Sequence, residues 1–371
     1  MLVNLFVIYF YYINNIFVGD SMYKIKIMAF KIKRMFIPAC ICLFTLFLLM
    51  FSNSNLSSAK AGLILWANSV VPSLLPFFIA TELLGYTNII SILGKLLNRF
   101  MKPIFNVPGE GAFAFIMGII SGYPMGAKIV SKLKKQGICT NEESERMLAF
   151  TNNSGPLFII GTVGIGMFKD TKTGILLFVT HILACLSVGF IFRWWKPPRK
   201  RTKSNENKLL SSQELISVSN LGEVLASSIM RAINTIFLIG GFIVLFSVII
   251  SILENSNILN LLSNFIHPIF NILGIPLNYA NSTITGIIEL TNGVYKVSMI
   301  TNKTISINII ICSFLLGFGG ISIALQILSI ASKSKISIKP YLIGKLLQGI
   351  FAAFYTYLFL RFLPFINLDL Y

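Results

Sequence analysis

The feature that most constrains this chain is a set of apolar runs that are interrupted by helix-breaking segments. In GIISGYPMGAK at residues 118–128, a Gly-Tyr-Pro break and a lysine follow an apolar run about half as long as a bilayer crossing requires. TNNSGP at residues 151–156 and GFGG at residues 317–320 are further cases. Backbone groups that leave a helix inside hydrocarbon are costly unless protein or water pairs them. The sequence therefore predicts broken helices that line a cavity.

The composition places these apolar runs in a membrane. Hydrophobic residues make up 55% of the 371 positions and charged residues 12%, with a mean hydropathy of +0.79. A chain with so little polar surface is an integral membrane protein. The formal net charge of +18 does not indicate nucleic-acid binding, because the cations lie in short tracts between apolar runs, as the positive-inside rule describes. These tracts cover residues 24–34, 95–102, 128–135, 193–203 and 333–339.

The sequence lacks the motifs of enzymes and metal sites. Its five cysteines form no C-x-x-C pair, and two histidines are too few for a metal-ligand cluster. It also lacks the phosphate-binding G-x-x-x-x-G-K-[ST] motif and the H-E-x-x-H and G-x-S-x-G motifs of hydrolases. We therefore predict no enzymatic activity, no catalytic residue, no metal site and no cofactor, so that any transport is secondary.

The run of apolar segments predicts an all-α polytopic protein with two transmembrane halves. The first half covers residues 35–196 and the second covers residues 220–371, and a polar cytoplasmic linker at residues 197–219 divides them. Residues 1–34 form an N-terminal extension, which is either an extra span or the result of a misassigned start.

The two halves contain three matching segments in the same order. KPIFNVPG at residue 102 returns as HPIFNILG at residue 267, and GIISGYPMGAK at residue 118 aligns without gaps to GIIELTNGVYK at residue 286. FTNNSGPLFI at residue 150 aligns to FLLGFGGISI at residue 314, which places Gly155 opposite Gly319. Such spacing predicts an internal repeat.

Charge indicates that the repeats are inverted. Residues 89–105 suit a helix in the membrane interface and carry three cations, whereas their counterpart at residues 258–275 carries none of the Lys or Arg residues that mark a cytoplasmic side. Inverted repeats with discontinuous or re-entrant helices are typical of secondary transporters, whose substrate site lies where the unwound segments meet. We therefore predict a carrier with two such repeats.

Residues at these breaks are the predicted substrate site. A helix that starts after Pro124 directs N–H groups and a positive dipole end into the cavity, and Lys128 adds a charge, so a small anion is the expected ligand. The alternative for Lys128 is a solvated position at the start of KLKK. TNNSGP either binds the ligand or only caps a half-helix. The predicted residues are Ser121, Gly122, Tyr123, Pro124, Lys128, Thr151, Asn152, Asn153, Ser154, Glu289, Thr291, Asn292 and Gly319.

Two acidic residues at membrane depth are candidates for ion coupling. Glu289 and Glu82 lie in apolar surroundings, where a carboxyl group is a functional candidate by default. Either could carry a coupling proton or sodium ion, and Glu289 is the stronger candidate because Glu82 could lie at an interface near Tyr86.

Several long motifs resemble the YlbJ family of sporulation integral membrane proteins. They are ILWANSVVPSLLPFF at residue 64, GIISGYPMGAK at residue 118 and NEESERMLAFTNNSGPLFIIGTVGIGMF at residue 141. The resemblance covers residues 35–363 and implies two Gate-type (nucleoside-recognition) repeats, a domain distantly similar to concentrative nucleoside transporters. Gly155 departs from the serine expected in many relatives, which removes a hydroxyl from that position.

The resemblance implies a role in endospore formation. Its expected place is the mother-cell-derived outer forespore membrane, where the family is similar to a carrier that passes dipicolinic acid toward the forespore, a step needed for cortex and spore maturation. The expected partners are the lipid bilayer and this small dianion, with the choice between a monomer and a homo-oligomer open. The alternatives are a membrane scaffold for spore-envelope assembly that transports nothing, and a nucleoside-type transporter.

Overall fold

The structure is a computed structural model that describes residues 35–196 apart from residue 36, 217–300 and 305–362. The predicted extension at residues 1–34 and most of the predicted linker, residues 197–216, lie outside the described residues. Every regular element in the described ranges is a helix. The chain divides into a small unit that ends at Leu56 and a larger unit from Ser57 onward.

The first half is built from eight α-helices and two π-helical segments among its described residues. The π-helical segments are Trp66–Val70, between α2 and α3, and Leu157–Met167, between α7 and α8. The α-helices are α1 (Ile37–Met50), α2 (Ser52–Leu65), α3 (Val71–Leu84), α4 (Ile89–Phe105), α5 (Gly111–Ile120), α6 (Met125–Lys135), α7 (Asn141–Phe150) and α8 (Thr171–Phe192).

The second half follows the same order of elements from α4 onward. A short 3₁₀ turn precedes it at Val218–Asn220. Its helices are α9 (Leu221–Asn255), α10 (Ile258–Asn264), α11 (His267–Leu273), α12 (Tyr279–Ile288), α13 (Leu290–Ser298), α14 (Ile305–Phe318), α15 (Gly320–Ser332) and α16 (Lys339–Phe362). α10 and α11 correspond to α4, and α12 and α13 correspond to α5 and α6. α14 corresponds to α7, α15 to the second π-helical segment and α16 to α8.

Four helical segments of the described residues are long and apolar enough to cross a membrane, or up to six if each bent pair counts as one span. They are Thr171–Phe192, Leu221–Asn255, Ser306–Ser332 and Lys339–Phe362. Many large apolar side chains on these helices are exposed, as expected for lipid contact. α4 turns by 87° from the end of α3, which is consistent with the predicted interfacial helix.

α12 and α13 fold back on each other as a hairpin, and Glu289, in the predicted break, lies between them. A Cβ atom on Gly293 would lie 2.0 Å from the Cα atom of Gly286, so the two helices touch backbone to backbone. α5 and α6 form the equivalent hairpin, in which a Cβ atom on Gly118 would lie 3.3 Å from the Cα atom of Gly126. Small residues permit this close approach.

The last helix packs closely against the ends of two broken helices. A Cβ atom on Gly317, at the end of α14, would lie 2.7 Å from the Cα atom of Gly349 on α16. A Cβ atom on Gly344, also on α16, would lie 2.8 Å from the carbonyl oxygen of Ala149 near the end of α7. α16 therefore joins the broken helices of the two halves.

Candidate functional site

Both hairpin tips and both helix breaks lie around one part of the larger unit. A cavity there has about 650 Å³ of empty volume, including solvent at its mouth. Among the predicted site residues it is lined by Gly122, Tyr123, Glu289 and Thr291. Its other lining residues are Leu65, Val70, Leu74, Gly155, Phe158, Thr162, Ile239, Ile243, Ser322, Ile323 and Gln326. Residues from both repeats therefore share one cavity.

The tip of the first hairpin is a tight turn between α5 and α6. Gly122 has φ +76°, and the Tyr123–Pro124 peptide bond is cis. A Cβ atom on Gly122 would lie 3.1 Å from the backbone nitrogen of Gly155, so the tip touches the break that follows α7. Ser121 is buried, and its hydroxyl is 2.8 Å from that of Thr81. α6 then begins without a side-chain cap, so its positive end is directed toward the turn.

The tip of the second hairpin differs from the first because the carboxylate of Glu289 caps α13, the helix that follows it. Glu289 accepts hydrogen bonds from the backbone N–H groups of Thr291 (3.0 Å) and Asn292 (2.8 Å) at the start of α13. The Glu289 side chain is buried although it lines the cavity. Asn292 itself is directed toward Ser247, with 3.5 Å between its amide nitrogen and the serine hydroxyl.

The TNNSGP segment closes the end of α7 and packs against the first hairpin. Asn153 donates from its amide to the carbonyl of Phe150 at 2.8 Å. The backbone N–H of Ser154 donates to Nε2 of His181 at 3.3 Å, which gives this buried histidine a defined partner. The carbonyl oxygen of Thr151 lies where a Cβ atom on Gly126 would come within 2.1 Å.

A buried lysine on α16 reaches the same segment, and sequence reasoning missed it. Lys345 donates from Nζ to the backbone carbonyl of Asn152 (3.0 Å) and to Oε1 of Gln348 (2.8 Å). Gln348 in turn donates from Nε2 to Oδ1 of Asn153 at 2.9 Å and lies 3.4 Å from His181. The residue Lys345 is only 4% exposed. A lysine and a glutamine three residues apart in the last apolar span were the available signal.

Buried polar atoms without a hydrogen bond of standard geometry are concentrated at this segment. The Asn152 amide lies beside the Tyr341 hydroxyl, and the Ser154 hydroxyl lies beside Tyr123 at the cavity. Among the described residues, such atoms here are Thr151 Oγ1, Asn152 Oδ1 and Nδ2, Ser154 Oγ, His181 Nδ1 and Tyr341 Oη. Buried polar groups in native proteins nearly always find partners, and the Asn152–Tyr341 and Ser154–Tyr123 neighbours can supply them here.

The structure does not bring Lys128 or Lys296 to the cavity. Lys128 Nζ lies 2.7 Å from a carboxylate oxygen of Glu82 and 2.8 Å from the hydroxyl of Thr235. Lys296 pairs with Glu254 at a more exposed position. Glu82 is therefore occupied by an ion pair, which leaves Glu289 as the acidic residue of the two that lines the cavity.

Gly319 marks the break in the second repeat. It has φ +85° and separates α14 from α15. A Cβ atom on Gly319 would lie 3.5 Å from Cε of Lys345 and 3.8 Å from Ile323, which lines the cavity. The predicted pairing of Gly155 with Gly319 thus corresponds to one helix break in each repeat.

Comparison with known proteins agrees with this architecture. A family model described as Gate, nucleoside recognition, matches residues 67–193 and 236–337. The sporulation integral membrane protein YlbJ of Bacillus subtilis (strain 168) is 36% identical over 339 residues, which cover 88% of this chain and 83% of that protein. The chain belongs to the YlbJ family.

Solved structures share the fold of this YlbJ-family chain at low sequence identity. A CNTnw variant in an outward-facing state has a TM-score of 0.52 at 14% identity and covers 90% of this chain and 86% of that chain. Another CNTnw variant, in an intermediate state, has a TM-score of 0.51 at 15% identity over 80% and 77%. The two Gate matches include both hairpins and both helix breaks, whereas Lys345 and Gln348 lie beyond residue 337.

Proposed function

We propose that this YlbJ-family chain is a secondary carrier that moves a small carboxylated solute, dipicolinate, across the outer forespore membrane during spore maturation. The observation that carries the proposal is the meeting of two hairpin tips and two helix breaks, from two repeats, at one cavity. Such a meeting of half-helices is the arrangement in which secondary transporters hold substrate. Sporulation enters through the family, whose relative is a sporulation integral membrane protein.

The two tips suit an anion that carries hydrogen-bond acceptors. Glu289 already neutralises the start of α13, whereas α6 begins without a side-chain cap, so the free positive dipole end belongs to α6. Tyr123, Thr291 and Gln326 supply polar groups to the cavity wall. In this arrangement Glu289 is the residue that would carry a coupling proton, because it combines burial with access to the cavity.

A nucleoside is the second candidate substrate. The matching family model is described as nucleoside recognition. A nucleoside would use the same hydroxyl and amide groups and needs no positive charge from the site. The two candidates therefore differ in whether uptake depends on the charge of the solute.

The test is uptake of labelled dipicolinate and labelled uridine into proteoliposomes. Tyr123→Phe and Thr291→Val change the cavity wall, and Lys296→Ala is the matched control outside the cavity. Saturable dipicolinate uptake that falls in the cavity variants and persists in the control supports the proposal. Uptake of uridine alone would replace dipicolinate by a nucleoside. Folded protein that transports neither under any ion gradient would favour the scaffold.

A further inference from the structure

The ammonium group of Lys345 is held by oxygen atoms in the way that a bound cation would be. Its acceptors are the backbone carbonyl of Asn152, which belongs to no helix, and the amide oxygen of Gln348. Among the described residues, no carboxylate oxygen lies within 4.0 Å of the Lys345 ammonium group. The salt bridges that these residues form involve other lysines and an arginine. Two neutral oxygen acceptors around one positive charge resemble part of an alkali-cation site more than a salt bridge.

The end of α7 also favours a positive charge at Lys345. α7 ends at Phe150, two residues before the carbonyl that accepts from Lys345. Gly319 lies between the end of α14 and the start of α15, and its Cβ position is 3.5 Å from Cε of Lys345, so the dipoles of these two helices oppose each other there. The carboxyl end of α7 carries partial negative charge and lies near the ammonium group.

Secondary carriers with broken helices bind their coupling cation at this kind of position. There, unwound backbone carbonyls and the carboxyl ends of half-helices coordinate the ion, while the amino ends face the substrate. In this chain the turn that precedes α6 lines the cavity through Gly122 and Tyr123, whereas Lys345 does not line the cavity and lies beside Gly319. The lysine is therefore in the place of the ion and not in that of the substrate.

We infer that Lys345 is a resident cation: its ammonium group fills the site that a coupling sodium ion would otherwise occupy between the two repeats, so this carrier needs no sodium. The inference rests on the proposed carrier function, because a coupling ion has a role only in a carrier. The contacts of Lys345 that support the inference do not depend on which substrate is carried. A tethered cation cannot dissociate with each transport cycle. The position therefore contributes to holding the repeats together and does not couple transport to a sodium gradient.

The first experiment measures the thermal unfolding of the unmodified protein in detergent. Sodium, potassium and choline chloride are compared at equal ionic strength, and the expected midpoint is the same in all three. A saturable rise in midpoint with sodium alone would show that a sodium site exists beside Lys345 and would overturn the inference.

The second experiment empties the site. Lys345→Ala is expected to lower the unfolding midpoint by about 5 °C or more, because buried hydrogen bonds are lost and acceptors are left unpaired. Methylammonium or sodium should then restore part of the midpoint in a saturable manner. Lys339→Ala, an exposed lysine at the start of the same helix, is the control and should show neither effect.

Each outcome decides the inference. A Lys345→Ala protein that is as stable as the parent, or that is destabilised without any response to small cations, shows a lysine that is not in a cation site. If Lys345→Ala does not fold, Lys345→Gln replaces it, and if neither folds, the sodium dependence of the unmodified protein decides alone. Because no readout uses transport, a failure of dipicolinate uptake would reject the proposed function and leave these results intact.

Discussion

Lys128 and Glu82 form an ion pair with 2.7 Å between Nζ and Oε1, and Lys128 also donates to Thr235 at 2.8 Å. The pair joins α6 to α3 and the hydroxyl joins both to α9. The lysine and glutamate side chains are 26% and 14% exposed, so the charges are only partly screened by solvent. Arg231 lies 4.0 Å from the other carboxylate oxygen and cannot fully replace the lysine.

We expect Lys128→Met and Glu82→Gln each to lower the free energy of unfolding, with a coupling energy of about 1–2 kcal/mol between them. Equilibrium unfolding of the single and double variants in mixed micelles measures this coupling. The exposed pair of Lys296 and Glu254 is the matched control, with an expected coupling of about 0.5 kcal/mol or less. Dipicolinate uptake that persists in the Lys128/Glu82 double variant would show that Lys128 is not a substrate ligand; loss of uptake in folded protein would show the opposite.

The first hairpin depends on Gly126. A Cβ atom there would lie 2.1 Å from the carbonyl oxygen of Thr151, and a backbone atom cannot move aside as a flexible side chain can. Gly126→Ala should therefore cost at least about 3 kcal/mol or prevent folding. Gly241→Ala, in α9 with no atom within 4 Å of its Cβ position, should instead stabilise by about 0.5–1 kcal/mol. Equal unfolding midpoints for the two variants would contradict the contact.

Glu289→Gln removes the charge from the second tip but keeps its size. The amide can accept only through its oxygen, so one of the two hydrogen bonds to the start of α13 is lost, at about 1–2 kcal/mol. If Glu289 carries the coupling proton, uptake driven by a proton gradient is lost while solute exchange at equilibrium persists. Asp170→Asn alters a comparable cap outside the cavity and should leave gradient-driven uptake unchanged. Loss of both modes of uptake in folded Glu289→Gln would assign the residue to substrate binding.

Asp170 caps α8 before that helix enters the membrane, and its titration predicts a pH dependence of stability. Burial raises the pKa of this carboxyl, but hydrogen bonds from the hydroxyl and N–H of Thr173 and the N–H of Lys172 outweigh it and lower the pKa below its usual value. A lowered folded pKa gives stability that is present above the unfolded pKa of about 3.9 and is lost as pH falls through the folded value.

The unfolding midpoint should therefore decrease on acidification below about pH 4. Asp170→Asn should be less stable by about 1 kcal/mol at pH 7, and the difference from the parent should shrink at pH 3. A constant difference over that range would show that the carboxylate charge does not stabilise the helix.

The broken helices were predictable because backbone chemistry forces them. Gly122 and Pro124 together interrupt a helix within an apolar run, and the matching segment at Glu289 indicates the repeat from the sequence alone. The sequence left open whether the segment around Glu289 is a discontinuous span or a re-entrant hairpin, since both consist of two short helices with a break between them. Contact between Gly286 and Gly293 decides between them only in three dimensions.

The charges were harder to place than the breaks. Lys128 stands next to a predicted helix start, but its partner Glu82 is 46 residues away, so nothing local shows that the charge is already neutralised. Lys345 lies in an otherwise regular span and has no break beside it in the sequence. Its role depends on Asn152, 193 positions away, which no pattern within α16 reveals.

The contact between Thr151 and the glycines of the first hairpin has a mechanical consequence. A Cβ atom on Gly118 of α5 would lie 1.8 Å from the carbonyl oxygen of Thr151, and a Cβ atom on Gly126 of α6 would lie 2.1 Å from the same oxygen. Both arms of the hairpin therefore contact the end of α7. A hairpin held along both arms cannot swing open like a flap. In a carrier built this way, exposing the cavity to one side of the membrane and then to the other requires the hairpin and α7 to move together as one rigid body.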